Sequence, residues 1–367
     1  MYGPPLPDAS IWYLDHSLVV IFAITILLLS SLTTRFWGSR LKKLVRNNQT
    51  QHVLLGERTF LDWIIDHFVR LVGNPALIAG GLIVFILIIA TFWPSSLSPY
   101  DPEAVGRTLQ NIDGKVMGRP FPPSSPYPMG TDVEGRDLLT RIIHGTARTL
   151  GLCAGVALLR LFISVSLGVT AGWKGGPLGQ QIISMVSVSA SIPSLLFAFI
   201  FILTIGPRLG YGVFLLGLGL TGWAELTNII QGSVKWIRSQ PYIDTAIALG
   251  STPTHITRWH IIPNLSPQLI PAVALELSAV LLTLGELGFL GLFLGESFFQ
   301  YLPQVVRSPI LPEWAGMLAG TRISIFNWPW LPIAPAFAFM IAILGFNLLA
   351  SGLRTWLDPF REIGNMR

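Results

Sequence analysis

Long apolar stretches, broken by short polar ones, set the plan of the chain. Runs near 17–34, 76–93, 149–172, 180–206, 211–232, 269–294 and 329–351 each come close to the roughly 20 residues a helix needs to cross a bilayer. Several hold Gly or Pro, which spanning helices carry more often than soluble ones. The pattern predicts an all-α, polytopic transmembrane helix bundle with seven spans. After the first run, residues 35–70 mix Arg35, Arg40, Lys42, Lys43, Arg46, Arg58 and Arg70 with Leu41, Leu44, Val45, Phe60, Trp63 and Ile64. Part of this segment reads as amphipathic, either an interfacial helix in a solvated linker or a contact for another subunit.

The polar stretches differ in kind. Residues 94–130 are rich in Pro, Gly and Ser and predict an extended loop with little room for a regular element. They lead into Gly130-Thr131-Asp132-Val133-Glu134-Gly135-Arg136-Asp137, where Thr131 or Asp132 is expected to cap a helix beginning around Gly135. Leu138, Leu139, Ile142, Ile143, Leu150 and Leu152 then recur at helical spacing. Residues 173–177 and 206–210 read as tight turns. A further loop, 295–328, holds Trp314, Arg322 and Trp328, and the tryptophans suit an aromatic belt. Between the fifth and sixth long runs, residues 242–264 form a polar, basic island of helix length.

Composition agrees with this reading. The 367 residues are 51% hydrophobic and 12% charged, against about a quarter charged in soluble domains. The pI of 9.6 is explained by topology. The basic linker, the island (Lys235, Arg238, Arg258) and the tail (Arg354, Arg361, Arg367) all fall on one side if the N-terminus is outside and the C-terminus cytoplasmic. In the outer loop 94–148 the basic residues are offset by Asp101, Glu103, Asp113, Asp132, Glu134 and Asp137. No segment is long enough to build the basic soluble face of a nucleic-acid binder. Nothing basic precedes the first run, so a cleaved leader is not expected there.

Chemistry-bearing residues are few. No phosphate-cradling G-x-x-x-x-G-K-[ST] run occurs, and Gly114-Lys115 is followed by Val116. His144, His255 and His260 are dispersed, so no metal site and no cofactor are expected in this chain. Cys153 lies in an apolar stretch and reads as a packed small hydrophobe. Ionisable groups inside spans are costly and face a cavity or a partner. Three stand out: Arg160, Glu276 about two turns into its span, and Glu286 nearer the outer end. Glu286 and Glu276 are candidates for a polar translocation path, or for pairing that serves assembly.

Four stretches carry a family resemblance. Gly130-Thr131-Asp132 with Gly135-Arg136-Asp137 matches GTDxxGRD. Asp244-Thr245-Ala246, Gly250 and His260-Ile261-Ile262-Pro263 match an E-A-A-x-x-x-G loop closed by I-x-L-P. Leu287-Gly288-Phe289-Leu290-Gly291 resembles LSFLG. Phe346-Asn347-Leu348-Leu349, Gly352-Leu353-Arg354 and Leu357-Asp358-Pro359 resemble FNLLGDGLRDxLDP. Together these resemble the C-type permease subunit of the dipeptide, oligopeptide and nickel ABC importers. Departures are Asp244 and Thr245 in the first triplet, Asn228 and Gln231 where arginines are common, Leu284 with Glu286 in place of a fifth-span glutamate, and Ala350, Ser351 and Thr355 near the end.

The resemblance implies a six-span permease core, 76–367, plus an extra N-terminal span and linker, 1–75. It implies a multi-pass protein of the prokaryotic inner or plasma membrane that is not itself an enzyme. Its partners would be a homologous permease, two ATP-binding subunits and an extracellular solute-binding protein. The cargo would be peptides, with nickel complexes or oligosaccharides as the alternative. A self-contained secondary transporter is the rival class, which would need inverted repeats and no ATPase. The loop about 235–264 would couple to the ATPase through a short helix over about 240–262, with Pro241 in its first turn and Pro263 where the next span begins. Ala246 and Gly250, four apart, would leave room for close packing, and Gly250 would end the helix in a left-handed conformation. Residues 130–137 would lie on the outer face, either against the binding protein or fixing loop and helix geometry.

Overall fold

The computed structural model describes residues 73–357, apart from 107–108, 113–114, 207–209, 295–296, 303, 320 and 322–324. The first apolar run, the amphipathic linker, Arg322 and the terminal Asp358-Pro359 lie outside the described residues. Helices dominate. In chain order they are α1 (Pro75–Phe92), α2 (Pro94–Leu97), α3 (Leu138–Lys174), α4 (Gly176–Ser191), α5 (Ser194–Ile205), α6 (Tyr211–Gly219), α7 (Trp223–Arg238), α8 (Pro241–Ala248), α9 (Pro253–Ile256), α10 (Ile262–Phe289), α11 (Trp314–Leu318) and α12 (Trp330–Leu357). A π-helical turn, Thr257–Ile261, joins α9 to α10.

Four helical runs among the described residues are long and apolar enough to cross a membrane: α1, α3, Pro253–Phe289 and α12. Two helix pairs pass the same test only together, each bent at a short break in the manner of a broken span or a re-entrant loop. Helices α4 and α5 meet at 83°, and α6 and α7 at 47°. The all-α polytopic bundle therefore stands, but the apolar runs 180–206 and 211–232 are not single helices. The first break falls at Ile192-Pro193, where Pro193 cannot continue the ladder of α4. The second falls at Leu220-Thr221-Gly222, with Gly222 at φ +72°, a conformation that glycine adopts without steric cost.

Helices α3 and Pro253–Phe289 each have 37 residues, about 55 Å of helix against roughly 30 Å of hydrocarbon, so both project well past it. Within Pro253–Phe289, Pro267 cannot donate to the Pro263 carbonyl. The Ser266 hydroxyl takes that carbonyl instead, at 2.8 Å, and the helix continues. Along α3, Gly168 and Gly172 let α7 approach closely. A Cβ on either would sit 2.8 and 2.7 Å from Ile230 and Val234, the small-residue contact that brings spanning helices together.

The outer-loop expectations need three corrections. Residues 94–130 are not without regular structure: α2 and an antiparallel hairpin, Leu109–Ile112 with Lys115–Gly118, form there. A second hairpin pairs Ser297–Leu302 with Gln304–Pro309. Trp314 is no belt residue. It is buried, its indole N–H donates to the Ile142 carbonyl at 2.8 Å, and its ring meets Phe339 edge-on.

Of the described residues, 73–86 and 344–357 form one compact unit and 87–343 another. In the first, Gly80 packs on the backbone of Leu348 and Leu349, and Gly352 on Leu77. The Asn74 amide donates to the Gly352 carbonyl at 2.9 Å. The second unit holds every remaining candidate residue.

Candidate functional site

The 241–262 island folds into a small knob with its own apolar foundation. Helix α8 starts with Pro241 in its first turn, as expected, but it ends at Ala248 rather than running on to 262. Two bonds close it. The Gly250 N–H donates to Ile247 at 2.9 Å and the Ser251 N–H to Ala246 at 3.0 Å, with Gly250 at φ +82°. That is the paired closure that a left-handed residue after a helix makes possible. Thr252 then caps α9 by accepting from the His255 N–H at 3.3 Å. From Pro253 the chain is helical without interruption to Phe289. Pro263 therefore lies ten residues inside the helix that carries the next span.

The foundation consists of Ile243 and Ala246 from α8, with Ile230, Val234, Ile237, Ile256, Ile261 and Leu265. Fully burying one such aliphatic side chain is worth about 1.5–3 kcal/mol, so Ile243 alone pins α8 firmly. This sorts the motif residues. Ala246 and Ile261 face inward and hold the knob together, while Asp244, Thr245, Gly250 and Pro263 are exposed and His260 is half-buried. The proposed pairing of Ala246 with Gly250 on one packed side does not occur, because a Cβ on Gly250 would meet nothing within 4 Å. Glycine is needed there for its backbone angle.

The outward surface of the knob is apolar and aromatic. Leu249 is 82% exposed and Trp259 62%, and Tyr242, Ile247 and Ile262 join them. The Tyr242 and His260 rings lie 6.1 Å apart, His255 and His260 6.4 Å, and the Arg258 guanidinium sits 5.9 Å over Trp259. Motif spacing did not single out Tyr242, Leu249 or Trp259. Their signal in the sequence is large apolar residues within an otherwise polar island.

Residues 130–137 do the opposite and close inward. Thr131 Oγ1 accepts from the Phe121 N–H at 2.8 Å, and the Thr131 N–H returns a bond to the Phe121 carbonyl at 3.0 Å. Asp132 Oδ1 accepts from the N–H groups of Glu134 and Arg136, both at 2.9 Å. Its Oδ2 takes Arg136 Nε at 2.7 Å and faces Arg141 Nε at 3.6 Å. Both arginines also donate to the Pro309 carbonyl. Gly130 and Gly135 have φ of +77° and +83°. Neither Thr131 nor Asp132 caps the helix. Asp137 does, accepting from Thr140 N–H at 2.8 Å and its hydroxyl at 2.6 Å, and α3 begins at Leu138. Asp132 is committed to its own turn, so the next carboxylate takes the cap. Burial pushes the Asp137 carboxyl above the usual range, against the pull of those bonds. Asp132 is 7% exposed and Arg136 5%.

The ionisable groups inside spans resolve into a pair and a remainder. Arg160 of α3 lies 3.3 Å from Glu276 Oε2 of α10, so the two charges pair within the chain. Glu276 lies well inside the long Pro253–Phe289 helix. Arg160 also donates to the Leu218 carbonyl at 3.0 Å and to the Thr221 hydroxyl at 3.2 Å. A Cβ on Gly222 would reach within 2.7 Å of its guanidinium carbon. Arg160 thus fills the break between α6 and α7 and satisfies a carbonyl that the break frees. Glu286, by contrast, is exposed. Cys153 is fully buried.

A family model described as binding-protein-dependent transport system inner membrane component matches residues 164–362. The chain is 30% identical to the dipeptide transport system permease protein of Alkalihalophilus pseudofirmus, covering 80% of this chain and 89% of that protein. It is 29% identical to the dipeptide transport system permease protein of Bacillus subtilis, over 83% and 88%. The probable D,D-dipeptide transport system permease protein of Escherichia coli is 27% identical, over 78% and 88%.

Proposed function

The chain belongs to the binding-protein-dependent transport system inner membrane component family, and from that membership we propose that it is the permease subunit of an ATP-driven peptide importer. In this reading it forms half of a translocation pathway with a homologous permease. Two ATP-binding subunits supply the work, and an extracellular solute-binding protein delivers the cargo. The N-terminus lies outside and the C-terminus in the cytoplasm, which puts the knob on the cytoplasmic side. Peptides are the cargo because the similar permeases are named for dipeptides.

The observation that supports this best is the build of the knob. Apolar side chains on a membrane protein's polar end are costly to leave in water and mark a contact surface. Leu249, Trp259 and Tyr242 are such side chains, and Ile243 and Ala246 fasten them from behind. Force applied at Trp259 enters Pro253–Phe289 directly, because that residue is part of the helix, and α8 joins it through the short link 249–252. That helix carries Glu276, which holds Arg160 at the break in the α6–α7 span.

Reconstitution tests the reading. Proteoliposomes holding both permeases and the binding protein should accumulate dipeptide only when the ATPase subunits and ATP are present. Uptake without them would sink the proposal. Gly250→Trp should insert normally yet hydrolyse ATP without uptake, and normal uptake by that variant would remove the knob from coupling.

A further inference from the structure

Both bent helix pairs open onto one cleft. The end of α4 contributes Met185, Val188 and Ile192, α5 contributes Phe197, and the second break contributes Leu220 and Trp223. The cavity measures about 490 Å³, within the roughly 300–1,000 Å³ typical of small-molecule sites. Its walls are mostly apolar, with Ser189 and Thr221 among the few polar members.

One feature argues against lipid as its filling and another against a partner helix. A break in a span leaves the last carbonyls of one helix and the first N–H groups of the next without intrahelical partners. Neither α5 nor α7 has a side-chain cap on its first turn. Such backbone at membrane depth is tolerated only where it is buried in protein or lines an aqueous cavity. Size argues against a partner helix, since a cylinder about 10 Å across would exhaust the volume within roughly one turn. The floor, meanwhile, is fixed. The Trp223 indole N–H donates to Leu220 at 3.0 Å, and Arg160 stands behind Thr221 and Gly222, tied to Glu276.

We propose that this cleft is a cargo subsite that takes the apolar side chain of a transported peptide. The inference rests on the peptide-importer reading and adds where the cargo is gripped and which part of it. The peptide's own carbonyls meet the uncapped first-turn N–H groups of α5 and α7, while its side chain lies against Met185, Val188 and Phe197. Because the floor is tied through Glu276 to the helix that rises from the knob, movement of the knob reshapes the subsite.

The test uses the complete reconstituted transporter with di-leucine and di-glycine as probes. Val188→Trp fills the cleft, and the ratio of di-leucine to di-glycine uptake should fall about tenfold, the scale of discrimination by an apolar pocket. An unchanged ratio overturns the proposal. The native cysteine, Cys153, is buried, so Val188→Cys adds one addressable thiol. It should react with a water-soluble maleimide, and di-leucine should protect it more than di-glycine does. A thiol that never reacts means lipid or the partner permease covers the cleft, and a thiol that reacts without protection means cargo passes elsewhere; either overturns the subsite. If the unsubstituted transporter takes up neither dipeptide, the peptide reading itself is what fails.

Discussion

Residues 130–137 and 241–262 are both polar motifs beside apolar helices, yet they spend their side chains in opposite ways. At 130–137 the signature residues Thr131, Asp132, Arg136 and Asp137 are buried and bonded to one another or to distant backbone. At 241–262 the signature splits. Ala246 and Ile261 are core, and Asp244, Thr245 and Gly250 are exposed, beside Leu249 and Trp259, which no motif named. The first region is a fastener and the second presents a surface. A motif therefore marks where side chains matter, and burial with hydrogen bonding decides whether they matter to the fold or to a partner.

The largest expected effect breaks the fastener. Asp132→Ala strips the carboxylate from two buried arginines, and removing one member of a buried ion pair costs about 3–5 kcal/mol. Folded yield in detergent should collapse, whereas Asp244→Ala on the exposed face should shift stability by no more than about 0.5 kcal/mol. Equal melting of the two variants would erase the distinction between the regions.

Next comes a pH dependence that belongs to the loop side. Burial pushes the Glu313 carboxyl from its ordinary 4.5 up to about 7, against the N–H groups of Ala315 and Gly316 that it caps. The folded state therefore holds that proton more tightly than the unfolded chain. The stabilisation is complete below pH 4.5 and is lost as pH rises through about 7. Melting temperature should fall between pH 5 and pH 8, by at most the order of 3 kcal/mol in stability. Glu313→Gln should flatten that part of the profile, and an unaltered slope would exclude this group.

On the knob the effect should appear in assembly and not in folding. Leu249→Ala with Trp259→Ala removes mostly exposed surface, so melting should change little, by about 0.5 kcal/mol. Copurification with the ATPase subunits should weaken by about 2 kcal/mol or more if these are anchors of the interface. Retained binding with retained stability would show that the exposed apolar face is incidental.

Much of this contrast was visible in the sequence, and the part that was not has physical causes. Spans were legible because hydrocarbon selects composition directly. The breaks were not, since Pro193 and Gly222 are tolerated in continuous spanning helices too. The bend at Gly222 depends on Arg160, 62 positions earlier, which no local pattern reports. Both ends of α8 were legible through Pro241 and Gly250, but the assumed length was wrong because Thr252 starts a new helix at once. The dispersed His255 and His260 meet because the π turn widens the helix there. The cap of α3 was misassigned because three carboxylates lie within six residues, and only tertiary contacts show that Asp132 is already engaged by Arg136 and Arg141.

The smallest expected effect is the sharpest comparison, because it holds the chemistry constant. Gly130 and Gly250 share nearly the same backbone angle, φ +77° and +82°, so alanine costs each the same left-handed strain, about 1–2 kcal/mol. Their surroundings differ. A Cβ on Gly130 would lie 2.7 Å from the Trp330 ring and 2.8 Å from the Phe121 carbonyl, while one on Gly250 meets nothing within 4 Å. Overpacking of that kind adds about 1–3 kcal/mol. Gly130→Ala should therefore melt measurably below Gly250→Ala in the same detergent, by that added amount. If the two melt together, the 130–137 knot gives way more easily than its contacts imply. If Gly250→Ala is the less stable, the free space around the knob is not free, and something within the chain already occupies it.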